Sequence, residues 1–391
     1  MLDDSDRGAR VKIGTLTYTK GTGWTGDASP AADSPETLVL AFGESHLLND
    51  AAPLHELAAR FPASVVLGCS VAGVVMGSKV LDETLLVSVT QFEKTTLRSA
   101  AIQVYAEGES RAAGVALGAQ LAGDGLAAVF VLSDGLTVNG SELIAGLNAV
   151  LPEHVLITGG LAGDGDRFAR TWVLLNRVPQ QGVVTAVGFY GTSITVRHGS
   201  RGGWDIFGPE RRVTRSSGNV LYEVDGKPAL ELYKLYLGEL AAGLPATGLL
   251  FPLALLGDVD DADPVVRTLL GINEAEQSLR FAGNVPEGAL VRLMRTNLDR
   301  LVDGAADAAE RARGAGAHEA GTPVLSIAIS CVGRRLVLGE RTDEELESVM
   351  ELLPPGTEQV GFYSYGELSP RATGRCDLHN QTMTITTMSE R

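Results

Sequence analysis

Cysteine is scarce, with only Cys69, Cys331 and Cys376 in 391 residues. So odd and scattered a set excludes a disulfide framework and suits a reducing compartment. Long apolar runs are missing too. The longest, Gly248 to Leu256, holds Pro252 and spans about nine residues, where a membrane helix needs roughly twenty. The opening Met1-Leu2-Asp3-Asp4-Ser5-Asp6 is acidic where a secretory signal has a basic start and an apolar stretch, so a cytoplasmic location is expected. Positive charge is in deficit. Lys plus Arg number 32 against 48 Asp plus Glu, a net −16, which disfavours nucleic acid and anionic membrane as partners.

Hydrophobic residues are 45% and charged residues 20%, enough apolar material for real cores, and the length allows two or three domains. Residues 1–35 are rich in Gly, Ser, Thr and Asp and read as a flexible leader holding one short strand, Val11 to Tyr18. From Thr37 the pattern alternates. Leu38-Val39-Leu40-Ala41-Phe42 suits a buried strand, Asn49 to Arg60 a helix, and Ser64-Val65-Val66-Leu67 a second buried strand, which together make a βαβ unit.

That unit recurs. A shift of 90 positions lays Val39–Ser45 on Val129–Gly135 and Leu67–Gly73 on Ile157–Gly163. Each copy continues as a strand pair, Thr84–Thr90 with Thr96–Val104, and Val183–Tyr190 with Ser193–Arg197. A looser third copy runs through Val324–Ser330, a helix at Asp343–Leu353, Gln359–Tyr363, a turn at Gly366 and Met383–Met388. The fold expected is therefore α/β, with duplicated βαβ-plus-hairpin units over 36–223 and a second α/β domain over 224–391. The turn Val224-Asp225-Gly226-Lys227-Pro228 marks the boundary. Arg311 to Gly321 reads as a mobile loop.

Several short stretches carry candidate chemistry. Gly159 and Gly160 open a glycine-rich turn that runs through Asp164 to Asp166, where backbone amides can approach an anion. It is not a dinucleotide fingerprint, since the spacing is wrong and a strand follows, and no P-loop occurs. Asp134 stands at the carboxyl end of a strand, the edge where ligands sit in open α/β sheets, although Asp before Gly is equally turn chemistry. Asp134 and Asp164 are expected to face a cleft and hold a ligand's amino group. Cys69 and Ser70 end the partner strand, with a small buried thiol as the plainer reading of Cys69.

Near the C-terminus, Tyr363, Tyr365, Glu367, His379, Asn380 and Gln381 supply the groups a polar pocket needs, with Glu367 as anionic anchor. A polar network that merely pins the last strand is the alternative. Alternation puts Phe362 and Ser364 on one strand face and Tyr363 and Tyr365 on the other. Cys376 and His379 form half of a zinc pattern with no second half. No Cys-x-x-Cys-His haem attachment motif exists, so haem would need a lone axial ligand, with His379 as the candidate.

Leu67–Gly73, Ser133-Asp134-Gly135, Gly159–Asp164, Pro228–Tyr233, Gly361–Pro370 and His379–Thr382 together resemble the FIST proteins, named for F-box and intracellular signal transduction. The resemblance runs from about Thr37 to Met388. It implies a FIST N-like domain over 36–223 and a FIST C-like domain over 224–391, acting as a sensory module for a small ligand, with amino acids as candidates. It further implies, for some members, haem-based nitric oxide sensing and a partner kinase or cyclase. No fused output domain and no F-box are recognisable, so output is expected through a separate partner.

Three functions remain open at this level. The first is a cytoplasmic small-ligand sensor, without a required cofactor or metal. The second is a haem-based nitric oxide sensor. The third is an enzyme of unknown class, for which Cys69, Asp134, Glu367 and His379 would be candidates, but no spacing joins nucleophile, base and oxyanion site.

Overall fold

The computed structural model describes residues 11–256, 264–314, 322–371 and 374–391. The apolar run Thr37–Gly43 is a strand buried at every position, and it pairs in parallel with Val65–Ser70 across helix α1 (Ala52–Arg60). A helix on one face and a second layer on the other leave no room for a polar alternation. The second copy repeats this with Leu126–Ser133, Leu156–Leu161 and helix α3 (Gly140–Val150), preceded by helix α2 (Ser110–Leu121). The loose third copy is real. Val324–Cys331 pairs in parallel with Thr357–Ser364, after helix α5 (Leu298–Arg313) and around helices α6 (Val332–Leu338) and α7 (Thr342–Leu352). Helix α4 (Ala229–Leu237) lies in the insertion between copies two and three.

The strand pairs expected after the first two units, Thr84–Thr90 with Thr96–Val104 and Val183–Tyr190 with Ser193–Arg197, are not hairpins, because the two strands of each lie in different sheets. The hairpins are other strands, and each copy sends its hairpin to another copy's sheet. Val74–Met76 and Lys79–Leu81 of the first copy join the third copy's sheet; Val173–Leu175 and Val178–Gln180 of the second join the first; Gly366–Pro370 and Cys376–His379 of the third join the second. Strand order within the three sheets is otherwise the same, so the units are related by a pseudo-threefold arrangement. A ring of main-chain hydrogen bonds closes it. Ala72 N donates to Tyr363 O at 2.8 Å, Gly163 N to Ser70 O at 2.9 Å, and Tyr365 N to Leu161 O at 3.2 Å.

The ring corrects the alignment of the two glycine turns. Gly43 is the register partner of Ser70 and Ser133 that of Leu161, and one residue more separates the second pair. Ala72 is thus equivalent to Gly163, not to Ala162. The constant shift holds for the first strands and slips in the connection.

The flexible leader is also corrected for its described part. Lys12–Thr19 pairs antiparallel with Thr84–Gln91 and with Gly23–Asp27, while Val11, Leu16, Ala28 and Ala31 are buried. The physical reason is an open sheet edge. After its closing strand each of the first two copies sends one more strand to the next sheet, Thr96–Gln103 and Ile194–Arg201. At the equivalent edge of the first copy's sheet, beside Thr84–Gln91, lies Lys12–Thr19. Of the mobile loop expected at 311–321, residues 311–313 are instead the end of α5, which Gly314 caps; residues 1–10 and 315–321 lie outside the described residues.

Between the second and third copies, residues 205–295 build an eight-stranded sheet whose longest member is Asp205–Ser217. The turn at 224–228 lies inside this sheet, between Val220–Val224 and Lys227–Pro228, which pair with each other. The regions before and after the turn are interlocked, because the hairpin of copy three completes the sheet of copy two and that of copy one completes the sheet of copy three.

Candidate functional site

The residues singled out by sequence do not converge on one pocket. Cys69 is buried, and burial pushes its thiol up, away from a nucleophile's range. Ser70 Oγ accepts from Trp172 N at 2.9 Å, a tie between strands. Gly159 and Gly160 are strand residues, and a Cβ on Gly159 would lie 1.9 Å from Val131 O. They serve close packing and present no free amide turn.

Asp134 and Asp164 were expected at a cleft, but each is 1% exposed. Asp134 accepts from Leu136 N at 2.9 Å, Thr137 N at 2.7 Å, Thr171 Oγ1 at 2.7 Å and Gly182 N at 3.1 Å. Asp164 accepts from Ala169 N, Arg170 N and the Tyr365 hydroxyl. The Asp134 carboxylate is saturated by turn amides and a hydroxyl, while Asp164, with three donors and Arg167 at 3.9 Å, is buried away from any cleft, so neither is presented to a ligand's amino group. The tyrosines separate likewise. Tyr363 donates to Glu345 Oε1 at 2.6 Å in the interior, while Tyr365 stacks on Phe168 with ring centroids 4.5 Å apart.

Glu367 is fully buried. It accepts from Ser364 Oγ at 2.6 Å, from Thr382 Oγ1 at 3.0 Å and from Thr382 N at 3.2 Å. Burial pushes its carboxyl up to about 8, so near neutral pH it is largely protonated and is no anionic anchor. Asn380 and Gln381 are buried as well. Gln381 has φ of 60°, and its side-chain amide donates to Leu249 O at 3.1 Å. Asn380 Nδ2 has no partner among the described residues. Of the C-terminal group, His379 lines the main cavity among the described residues and the other five do not.

That cavity, about 900 Å³, opens between the third sheet, α5, the eight-stranded sheet and the hairpin of copy three. One wall is the end of the strand Ile194–Arg201 and the turn after it, Gly202-Gly203-Trp204. Gly203 has φ of 74°, and a Cβ there would sit 1.9 Å from Arg300 O, so only glycine lets the turn press on α5. Arg334 clamps the same turn from below. Its guanidinium, fully buried, pairs with Glu345 at 2.7 Å and donates to Gly202 O at 2.5 Å and to Leu301 O at 2.7 Å. Trp204 Nε1 donates to Gln381 O at 2.9 Å, which gives Gln381 its role as a support of the wall.

Arginines and imidazoles stand along the wall, together with Asp303 and Asp307. His198, Arg201, Arg311, Arg371 and His379 line it, with Trp204 and Met294 as apolar surfaces. Burial drives His198 down to about 4, helped by the charges of His379 and Arg311, so its ring is neutral at pH 7. Its Nδ1 is buried with no hydrogen-bond partner among the described residues, as is Oγ1 of Thr386, its register partner. His379 is also driven down, chiefly by burial, and its Nε2 meets Ser369 O at 3.1 Å. His198, Arg201, Trp204, Arg311 and Arg371 escaped the sequence reading. The available signal was the run Arg197-His198-Gly199-Ser200-Arg201-Gly202-Gly203-Trp204, too polar for the buried strand its position implies.

No group of three or more metal-ligating side chains occurs among the described residues. Cys376 and His379 stand three apart on one strand and so point to opposite faces, which removes the half zinc pattern. No helix among the described residues is long and apolar enough to cross a membrane.

No curated protein matches the chain. Two family models do: the FIST N domain over residues 37–227 and the FIST C domain over 229–370. The first spans both of the sequence-repeated units, and the second spans the cavity's α5 wall and the first strand of the hairpin that carries His379. With most of its length so matched, the chain belongs to the FIST family.

Proposed function

We propose that the protein is a small-molecule sensor whose ligand, a small polar molecule of amino-acid size, seats in the cavity between the third sheet and the eight-stranded sheet. One observation carries this reading. The walls come from both family regions, His198 to Trp204 from the first and Val266, Met294, α5 and Pro370 from the second. A ligand bound there touches both, and any preference for one relative placement shifts the population toward it. Neutral imidazoles and the hydroxyl of Ser200 supply directional contacts, and the Trp204 ring, its N–H held by Gln381 O, supplies a flat apolar one. The signal then passes to a separate partner, of the kinase or cyclase kind.

Three buried free thiols support a reducing, cytoplasmic setting. The enzymatic reading is weaker, because Cys69, Asp134 and Glu367 do not line the cavity that His379 lines. Mass spectrometry of small molecules released on denaturing the purified protein tests the sensor. A stoichiometric polar molecule is the expected result, and its rebinding should be lost in Ala306→Trp, which fills the cavity. A Soret band on the purified protein, lost in His198→Ala or His379→Ala, would assign the cavity to haem instead. Absence of any released or rebinding molecule would overturn the reading.

A further inference from the structure

We propose that the outer edge of Thr96–Gln103 is the surface at which two copies of this chain pair, each adding the other's strand antiparallel to its second sheet about a two-fold axis at Ala100. The inference is independent of the cavity and of the sensor reading.

Among the described residues, the strands at the ends of the four sheets have five residues or fewer, apart from Thr96–Gln103 and Ile194–Arg201 with eight each. Short edges protect a sheet from adding strands, as do bulges, prolines and outward charges. Thr96–Gln103 has none of these safeguards. Its register with Val183–Tyr190 is unbroken, it holds no proline, and its single charge, Arg98, folds back over the Tyr190 ring at 4.6 Å. Pairing with Val183–Tyr190 uses alternate residues. Val104 N donates to Gly182 O at 2.6 Å, so Ile102, Ala100 and Arg98 turn their main-chain groups inward, and Leu97, Ser99, Ala101 and Gln103 turn theirs outward.

The three copies show what this position accepts. In the first, the equivalent strand, Lys12–Thr19, carries Gly23–Asp27 antiparallel on its outer side. In the third, Ile194–Arg201 is engaged by α5, whose Arg311 donates to Ser200 O at 3.4 Å, and its end forms the cavity wall. In the second, no other strand of the described residues pairs with the outer side of Thr96–Gln103.

The occupant that fits is the same strand of a second copy. Two-fold antiparallel pairing of the outward groups sets Leu97 against Gln103 and Ser99 against Ala101 in both directions, with Ala100 on Ala100 at the axis. Arg98 then faces Ile102 and not a second Arg98. Helix α2 widens the contact. Its Ala113, Leu117 and Leu121 are buried in the same core as Ala100, and its Gly114 and Gly118 press on α3, where added Cβ atoms would lie 2.1 Å from Leu143 O and 3.2 Å from Val150. The helical period leaves Ala112, Ala116 and Gln120 on the flank away from α3, above the open edge. No charge occurs from Ala112 to Leu121, so two such flanks can close on each other although the chain carries −16. An edge about 26 Å long and two layers deep presents roughly 500 Å² in outline, on the scale of the roughly 800 Å² of accessible surface each partner buries in a stable pair.

Sedimentation velocity of the full chain over a range of concentrations tests this. A concentration-dependent dimer is expected, strengthened by added salt, which screens the repulsion between two acidic chains. Ser99→Pro removes one outward N–H, and Ala116→Glu sets like charges on facing flanks; each should leave only monomer. Ala100→Cys should form an intermolecular disulfide on mild oxidation, the three native thiols being buried, whereas Thr96→Cys, offset from the axis, should not. That readout stands even if Ser99→Pro fails to fold. A dimer that persists in both Ser99→Pro and Ala116→Glu, or one in which Ala100→Cys does not cross-link, would overturn the proposal. So would a wild-type monomer at every concentration, which would leave the edge to an extended segment of another protein.

Discussion

Glu367 and His379 are register partners across the hairpin of copy three, yet only the histidine reaches the cavity. The carboxyl turns inward to Ser364 and Thr382, and Thr382 in turn lines the cavity. A buried acid and a ligand site are thus joined through one threonine. The acid's protonation has consequences that can be measured.

Burial raises the Glu367 carboxyl from 4.5 to about 8. The folded state therefore binds this proton more tightly than the unfolded chain, and its contribution to stability falls as pH rises from about 4.5 to 8. Between pH 6.5 and 8.5, thermal melts of Glu367→Gln should show a flatter dependence on pH than wild type. Identical slopes would mean that the carboxyl titrates normally.

His198 acts in the opposite sense. Its ring is held down to about 4 from 6.5, so folding releases a proton in that window. Stability from this group is present above pH 6.5 and is lost as pH falls toward 4. His198→Gln should lessen the loss of melting temperature between pH 6 and 4.5, and an NMR titration of the ring should place its midpoint well below 6.5. A midpoint near 6.5 would refute the burial argument.

Asp134 is a structural acceptor of four hydrogen bonds. Asp134→Asn replaces an acceptor oxygen by a donor facing other donors, and should cost about 2 kcal/mol or more of stability. Ligand affinity of the remaining folded protein should be unchanged. Chemical denaturation and calorimetry on the same variant check both halves.

Arg334 is a positioning residue. Its removal in Arg334→Met leaves Glu345 buried without its cation and frees the carbonyls of Gly202 and Leu301, at a cost of about 3–5 kcal/mol. The double variant Arg334→Met with Glu345→Gln should recover stability but not affinity, because the Gly202 turn is still unclamped. Recovery of both would place Arg334 outside the site's support.

What the sequence determined by itself was local. Alternation and buried runs mark the strands of all three copies, and period two alone separates Phe362 from Tyr363, which the structure places in two different cores. Asp before Gly at 134 could be read either as a ligand site or as a turn, and its surroundings decided for the turn. Tertiary structure alone decided where each hairpin goes, since a strand pair joins whichever sheet edge is open and that edge belongs to another copy. The same holds for the cavity. His198, Arg311 and His379 are far apart in the chain and meet because the strand after copy two lies beside the last strand of copy three, with α5 laid across both. Side-chain periodicity carries no information about such long-range neighbours, so the ring of copies was legible in part and its ligand seat was not.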